Sequence, residues 1–227
     1  MTAGAASPRE RYRSQVRAEI KARAWEQIAS AGATGLSLNA IAKELGMSGP
    51  ALYRYFGGRD ELITELIRDA YRSLADTFRA AADSGGGLPG LAHALRRWAL
   101  ADPQRYFLVY GTPVPGYHAP DDITAIAQEI MAALLDVCVA ADADTHGPDT
   151  HGAADTHGPD TFDAHLADHR QWAGGHPAPP AALHRALLCW TRLHGHLSLE
   201  LAGHFTGMGF DPELLFAAEV DELAGGH

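Results

Sequence analysis

Apolar residues recur along this chain at helical spacing almost without interruption. Val16, Ile20, Ala24 and Ile28 stand four apart and predict a first helix from about Pro8 to Ala31, closed by Gly32. Leu38, Ile41, Ala42 and Leu45 follow the i, i+3, i+4, i+7 template of a short second helix. Gly46 breaks it, and a third short helix starts at about Ser48. Gly57-Gly58 ends the third, after which Leu62, Ile63, Leu66, Ile67, Ala70, Leu74 and Phe78 trace a long fourth helix. A Gly-rich stretch at 84–90 punctuates the chain, and further helical patterns cover about 89–101, 103–110 and 120–140. No segment sustains the alternation of a strand, so the pattern predicts an all-α fold.

Two more helices close the chain. Leu183, Leu187, Trp190, His194, Leu197 and Leu201 alternate spacings of four and three, the seam of a helix lying nearly parallel or antiparallel to its partners. It spans about 24 residues, roughly 36 Å at 1.5 Å each. Asp211 then offers an N-cap with Pro212 at the first helical position, and Leu214, Leu215, Ala218 and Val220 supply an apolar face. Two long C-terminal helices per chain suit a four-helix dimer interface, with Leu183, Leu187, Leu197, Leu201 and Leu215 as its expected residues.

Residues 141–161 differ in kind. The octapeptide Ala-Asp-Thr-His-Gly-Pro-Asp-Thr at 143–150 returns unchanged at 154–161 and holds no large apolar residue. Such a segment cannot bury a core and is expected to be a flexible acidic insertion. Its histidines His146, His151 and His157, with His165, His169 and His176 beyond, raise the question of a metal, since His165 and His169 are one helical turn apart. A mobile loop loses entropy on ordering, and the repeat itself generates these histidines, so no metal or cofactor is expected.

Charge sharpens the division. The whole chain carries −10, but residues 1–60 hold nine Lys+Arg against five Asp+Glu, and the remainder nine against twenty-three. A basic amino-terminal module on an acidic body fits a local phosphate-binding face, because affinity for nucleic acid follows local charge. No run of eighteen or more apolar residues is present, so neither a spanning helix nor a membrane partner is expected. The amino-terminal arginines have no apolar stretch behind them, unlike a secretory signal. Cys138 and Cys189 lie far apart in apolar surroundings; they read as buried free thiols of a cytoplasmic protein, with a redox switch as the alternative. No Gly-x-Ser-x-Gly, His-Glu-x-x-His or phosphate loop occurs, and an enzyme is not expected.

The segment from Ser37 to Phe56 carries the sharpest chemistry. Ser37 can cap the second helix and donate to a phosphate, Ala42 is small where two helices must cross, and Gly46 supplies the positive φ of a tight turn. Ser48 is placed to cap the third helix, and Pro50 lies in the first turn, where its missing N–H costs little. Leu52 and Phe56 fall on the inward face, whereas Tyr53, Arg54 and Tyr55 can point outward; Arg59 can clamp a phosphate. These residues, with the run Tyr53-Arg54-Tyr55-Phe56-Gly57-Gly58-Arg59-Asp60-Glu61-Leu62, resemble the tetracycline-repressor (TetR) family over residues 9–80.

The resemblance implies a three-helix helix-turn-helix DNA-binding domain at 9–69, joined by a long helix to a helical effector-binding and dimerisation domain at 70–227. It implies a homodimeric regulator of double-stranded operator DNA, by family habit a repressor, released by an unidentified small-molecule effector. An activator or a less specific DNA binder of the same fold is the alternative. The third helix would enter the major groove with Ser48, Gly49, Pro50, Tyr53 and Tyr55, while Ser37 and Arg59 would contact the backbone and Asn39 would join the DNA face. Gly49-Pro50 stands where many members carry a longer side chain, which leaves Arg54 as a candidate for base readout. Trp190-x-x-x-His194-Gly195 resembles the Trp-His-Gly element of one C-terminal domain type in the family. Effector-lining residues expected on that logic are His93, Trp98, Tyr106, Phe107, Tyr110, Tyr117, Trp190 and His194.

Overall fold

The computed structural model describes residues 7–112, 117, 119–145 and 161–225. Among the described residues the α-helices are α1 (Pro8–Ala31), α2 (Leu38–Glu44), α3 (Gly49–Leu52), α4 (Arg59–Asp83), α5 (Gly87–Ala101), α6 (Pro103–Tyr110), α7 (Asp121–Thr145), α8 (Phe162–Asp168), α9 (Pro180–Leu201) and α10 (Pro212–Gly225). Among the described residues there is no strand, and the fold is all-α. The chain divides into two compact units. One takes the chain up to Ala70 and adds Gln104–Ala119; the other takes Tyr71–Pro103 and the chain from Pro120 onward. Residues 104–119 therefore group with the amino-terminal unit, where the sequence pattern placed them in the larger one.

In the first unit, α1 starts from a capping box. Ser7 Oγ accepts from the Glu10 N–H, and the Glu10 carboxylate accepts from the Ser7 N–H at 2.7 Å. The buried residues of α1 are Val16, Ile20, Ala24 and Ile28, the four-residue stripe seen in the sequence. Gly32, at φ +70°, ends the helix. Leu62, Ile63, Leu66, Ile67 and Ala70 of α4 are buried as their spacing predicts.

In the second unit, α9 packs against α5, α7, α8 and α10. The α7 face made by Ile123, Ile126, Ile130, Leu134, Leu135 and Cys138 is buried, with α5 and α9 as neighbours. Residues Asp121–Ala141 of α7 are long and apolar enough to cross a membrane by length and composition alone, though no run of eighteen apolar residues occurs among them, as expected. Gln128, Glu129 and Asp136 interrupt every apolar run, yet the averaged hydropathy stays high. An ion-pair cluster ties α5 to α9 and α10. Arg96 donates bidentately to Glu200, at 2.7 and 3.2 Å, and lies 3.4 Å from Glu213. The Arg96 and Glu200 side chains are almost covered, so removing Arg96 would leave the Glu200 carboxylate buried without its bidentate partner, at about 3–5 kcal/mol.

The repeat region departs from its sequence reading at both edges. Residues 141–145 belong to the end of α7, and Thr161 is the N-cap of α8, its Oγ accepting from the Ala164 N–H at 3.3 Å. Residues 146–160, with His146, His151 and His157, lie outside the described residues. The α8 helix has one buried side chain, Leu166, and so left no apolar period to read. His165 and His169 stack face to face, with ring centroids 3.9 Å apart, an arrangement that turns the ring planes onto each other and not toward a shared point.

Candidate nucleic-acid interface

The geometry of α2, α3 and the turns around them follows from a few local bonds. Ser37 sits at the N-cap of α2, where its Oγ accepts from the Ala40 N–H at 3.4 Å. Its own N–H donates to Gln27 Oε1 at 3.0 Å, tying the start of α2 to α1. Gly46 adopts φ +65°, a left-handed conformation that side chains resist, and the next N–H, from Met47, returns to the Ala42 carbonyl at 2.8 Å. The inter-helix turn is closed by that bond.

The α3 helix is a single turn, and its capping differs from expectation. Ser48 occupies the N-cap position, but its hydroxyl makes no capping bond. The second helical position is Pro50, which has no N–H, and the Ala51 N–H is already taken by the Ser48 carbonyl at 2.9 Å. The exposed Ser48 hydroxyl is thus left for an outside partner. Asn39 Oδ1 lies 3.6 Å from where a Cβ on Gly49 would stand, so α2 and α3 meet at that pair.

Beyond Leu52 the chain continues in tight turns. The Arg54 N–H donates to the Ala51 carbonyl at 3.3 Å and the Tyr55 N–H to Leu52 at 2.8 Å. Leu52 and Phe56 are fully buried and anchor the segment. Tyr53 is 48% exposed, Arg54 is exposed, and Tyr55 is half-buried, short of the outward position expected for it. Two arginines of α1 hold this backbone from behind. Arg13 donates to the Arg54 carbonyl at 3.5 Å; Arg17 donates to the Tyr55 carbonyl and lies 4.1 Å over the Phe56 ring. Glu65 stands 3.3 Å from Arg17 and completes the brace. Sequence reasoning missed the role of Arg17, since its partners lie 38 to 48 positions away and share no local pattern with it.

Arg59 is engaged by its own chain. Its Nη2 donates to the Ala33 carbonyl at 2.6 Å, and Asp60 lies 3.9 Å from its Nη1. The guanidinium braces the loop after α1, with a third of the side chain still exposed. Lys21 pairs with Asp69 at 2.5 Å and Arg23 with Glu26 at 2.6 Å. Lys43 and Arg54, by contrast, are exposed and make no ion pair among the described residues. With Ser37, Asn39, Ser48, Pro50 and Tyr53, also exposed, they give the α2–α3 segment cationic and hydrogen-bonding groups able to meet phosphates and base edges.

The expected effector-lining residues fall into two groups, one in each unit. In the first, Tyr106 is fully buried, with the rings of Phe107 and Tyr110 at 5.7 and 5.5 Å, and Tyr117 is half-buried. In the second, Trp98 is buried and its indole N–H donates to Ser73 Oγ at 3.1 Å; the His93 ring lies 5.8 Å from Phe216. Trp190 lies 4.1 Å from His194 and meets Phe78 edge-on at 6.5 Å.

Burial pushes the His194 imidazole down to about 4, so the ring is neutral at pH 7. The unfolded chain binds that proton near pH 6.5, the folded chain only near pH 4, so this group lowers stability as the pH falls through that window. At 1.36 kcal/mol per pH unit the loss is about 3 kcal/mol. Chemical denaturation of the wild type and of His194→Gln at pH 7 and pH 4 reads it as a steeper acid loss in the wild type; equal slopes would contradict the assignment.

The expected dimer residues are also re-sorted. Leu183 and Leu197 are fully buried within their own chain and Leu187 and Leu201 half-buried, because that seam faces the other helices of the unit. The exposed stripe of α9 is His184, Leu188, Thr191, Gly195 and Leu199, rotated around the helix from the seam. Leu188 and Leu199 remain about half uncovered, and Leu214 of α10 is 70% exposed, with Leu215 beside it. No atom lies within 4 Å of a Cβ built on Gly195.

Comparison with known proteins converges on one family. Residues 20–66 match the family described as bacterial regulatory proteins, tetR family. Residues 88–223 match the tetracyclin repressor-like C-terminal domain. The chain is 37% identical over 216 residues to the HTH-type transcriptional regulator Rv1816 of Mycobacterium tuberculosis, covering 92% of this chain and 90% of that one. The regulator Mb1846 of Mycobacterium bovis matches to the same extent. Among solved structures, the crystal structure of SCO4313 superposes with TM-score 0.84 at 69% identity, over 97% of this chain and 100% of that one. A protein of unknown function from Rhodococcus sp. RHA1 shares the fold, with TM-score 0.67 at 22% identity over 93% and 94% of the two chains. With a helix-turn-helix reader at its amino terminus and a matched domain over most of the remainder, the chain belongs to the TetR family of DNA-binding transcriptional regulators.

Proposed function

We propose that the protein acts in the cytoplasm as a homodimeric repressor that binds a two-fold operator and leaves it when a small molecule occupies its effector domain. In this reading residues 9–69 read DNA and residues 70–227 bind effector and pair the chains. The observation that carries it is the unpartnered apolar face of α9 and α10 at Leu188, Gly195, Leu199 and Leu214, in a chain with one reader. Exposed apolar side chains grouped on a helix face suit an association site, and a two-fold axis through it presents two readers to one duplex. The repressor assignment leans on the likeness of residues 88–223 to the tetracyclin repressor-like domain. Ser37, Asn39, Ser48, Pro50, Tyr53 and Arg54 are the proposed DNA contacts, joined by Lys43.

Effector release requires a compound with different affinities for the DNA-competent and DNA-incompetent arrangements. Trp190 and the neutral ring of His194 are the proposed contacts, offering an aromatic surface beside an uncharged hydrogen-bonding group. Selection of genomic fragments by the purified chain, followed by footprinting, tests the proposal. The expected footprint is a pair of inverted half-sites whose centres lie about 34–36 Å apart or a multiple of that. Single unpaired sites, or no enrichment over random DNA, would overturn it.

A further inference from the structure

The first two turns of α1 stand clear of the unit they belong to. Every residue from Ser7 to Gln15 is exposed, and Val16 is the first side chain of the helix to be buried. The overhang from Pro8 to Gln15 is roughly 12 Å of helix at 1.5 Å per residue. It holds Arg9, Arg11 and Arg13 against the acid Glu10, whose carboxylate already accepts from the Ser7 N–H at 2.7 Å. Cations in the opening turns of a helix face the positive end of its dipole, and Arg9 and Arg13, four apart, repel each other. These arginines therefore work against the helix that carries them, and neither Arg9 nor Arg13 makes an ion pair among the described residues. Tyr12 occupies the next position of the buried stripe Val16, Ile20, Ala24 and Ile28, yet it is 63% exposed, because the core ends one turn short of it.

The overhang lies beside the reader. Arg13 donates to the Arg54 carbonyl at 3.5 Å, and Arg17, one turn deeper, donates to the Tyr55 carbonyl. Arg9, Arg13 and Arg17 follow one another at four-residue spacing, so the face that meets the turn after α3 continues outward to Arg9, with Tyr12 next to it. We propose that Arg9, Tyr12 and Arg13 form a second DNA contact that grips the phosphates flanking the segment met by α3. The Arg9 guanidinium and the Tyr12 hydroxyl are donors suited to phosphate oxygens, and Arg13 keeps further N–H groups beyond the one given to Arg54. Charge complementarity selects the partner, since a duplex is a dense line of negative charge, whereas an apolar partner would cover two guanidinium groups without counter-ions. The contact carries no base preference; it adds affinity and fixes the register of the reader. It rests on the reading of α2 and α3 as the DNA-binding segment.

The test uses the full chain, a duplex that the wild type selects from genomic fragments, and a random duplex of the same length, titrated between about 50 and 200 mM salt. Arg9→Ala is expected to bind both duplexes about 5–10-fold more weakly at about 0.1 M salt, with the salt slope reduced by about 0.9. Arg9→Lys keeps the charge and should keep the slope. Tyr12→Phe should weaken both duplexes by a smaller factor with the slope unchanged. Helical content and melting midpoint should stay at the wild-type values, because both side chains are exposed. Hydroxyl-radical footprints should lose protection at their outer edges in Arg9→Ala and keep it at the centre of each half-site. Wild-type affinity and slope in Arg9→Ala, a loss confined to the selected duplex, or weakened self-association in place of weakened DNA binding would overturn the proposal and leave the reader standing. A wild-type chain that binds neither duplex would remove the reader itself, and this contact with it.

Discussion

A chain carrying Tyr53→Ala and Arg54→Ala is expected to lose operator affinity by about 30-fold to 10⁴-fold while keeping its fold. A side chain that meets a base edge or phosphate is worth roughly 1–3 kcal/mol, and two together about 2–6 kcal/mol. The fold should be spared because Tyr53 is 48% exposed and the Arg54 side chain is exposed, while the backbone beneath them is held by Arg13 and Arg17. Exposed substitutions of this kind usually change stability by within about 0.5 kcal/mol. Fluorescence anisotropy on DNA selected by the wild type, beside a thermal melt, measures both quantities. Unchanged affinity would remove α3 and its following turn from the reader. Arg54→Ala alone sorts its contact: a phosphate partner lowers the salt slope by about 1 across all sequences, and a base partner relaxes preference at one position. Leu52→Ala is the contrasting control, since that side chain is fully buried and its removal should cost about 2–5 kcal/mol of stability.

Gly195→Leu should give a folded chain that no longer dimerises. Glycine inside a helix costs about 1 kcal/mol relative to alanine, so an isolated α9 would be stabilised by almost any side chain there. The position is exposed, and a Cβ on it meets no atom within 4 Å of its own chain, so leucine fits the protomer without strain. In the proposed dimer, two copies of the stripe holding Leu188, Gly195 and Leu199 face each other, and the same side chain would force the helices apart. Analytical ultracentrifugation should show monomer at micromolar concentration, with helical content unchanged and operator affinity sharply reduced. A variant that still sediments as the wild-type dimer would move the interface off this face of α9. Gly195→Ala, with one methyl, should have a much smaller effect.

The helices were legible because each carries its own period. The stripe Val16, Ile20, Ala24 and Ile28 lies in the core of its unit as spaced, and so do Leu62, Ile63, Leu66 and Ile67. The exceptions have local reasons. Helix α8 buries only Leu166, leaving no stripe to detect, and the end of α7 continues through the first residues of the repeat because alanine and aspartate can extend a helix already nucleated upstream. The reader's turn was legible in Gly46, whose left-handed backbone is a property of the residue. Ser48 differs from its sequence reading because a cap hydroxyl accepts from the second or third helical N–H; Pro50 has none and the Ala51 N–H goes to the Ser48 carbonyl.

By itself the sequence determined the all-α class, the order of nearly all the helices, the helix-turn-helix and the family, since these follow from local periods, turn residues and a contiguous motif. Only the tertiary structure decided which face of α9 is spent on its own chain, that Arg59 is a brace, and that Arg17 holds the reader from behind. Each of these is a contact between residues far apart in sequence. Spacing along one helix says that a stripe will be buried; it is silent on which partner covers it, because that is set by how several helices share their surfaces at once.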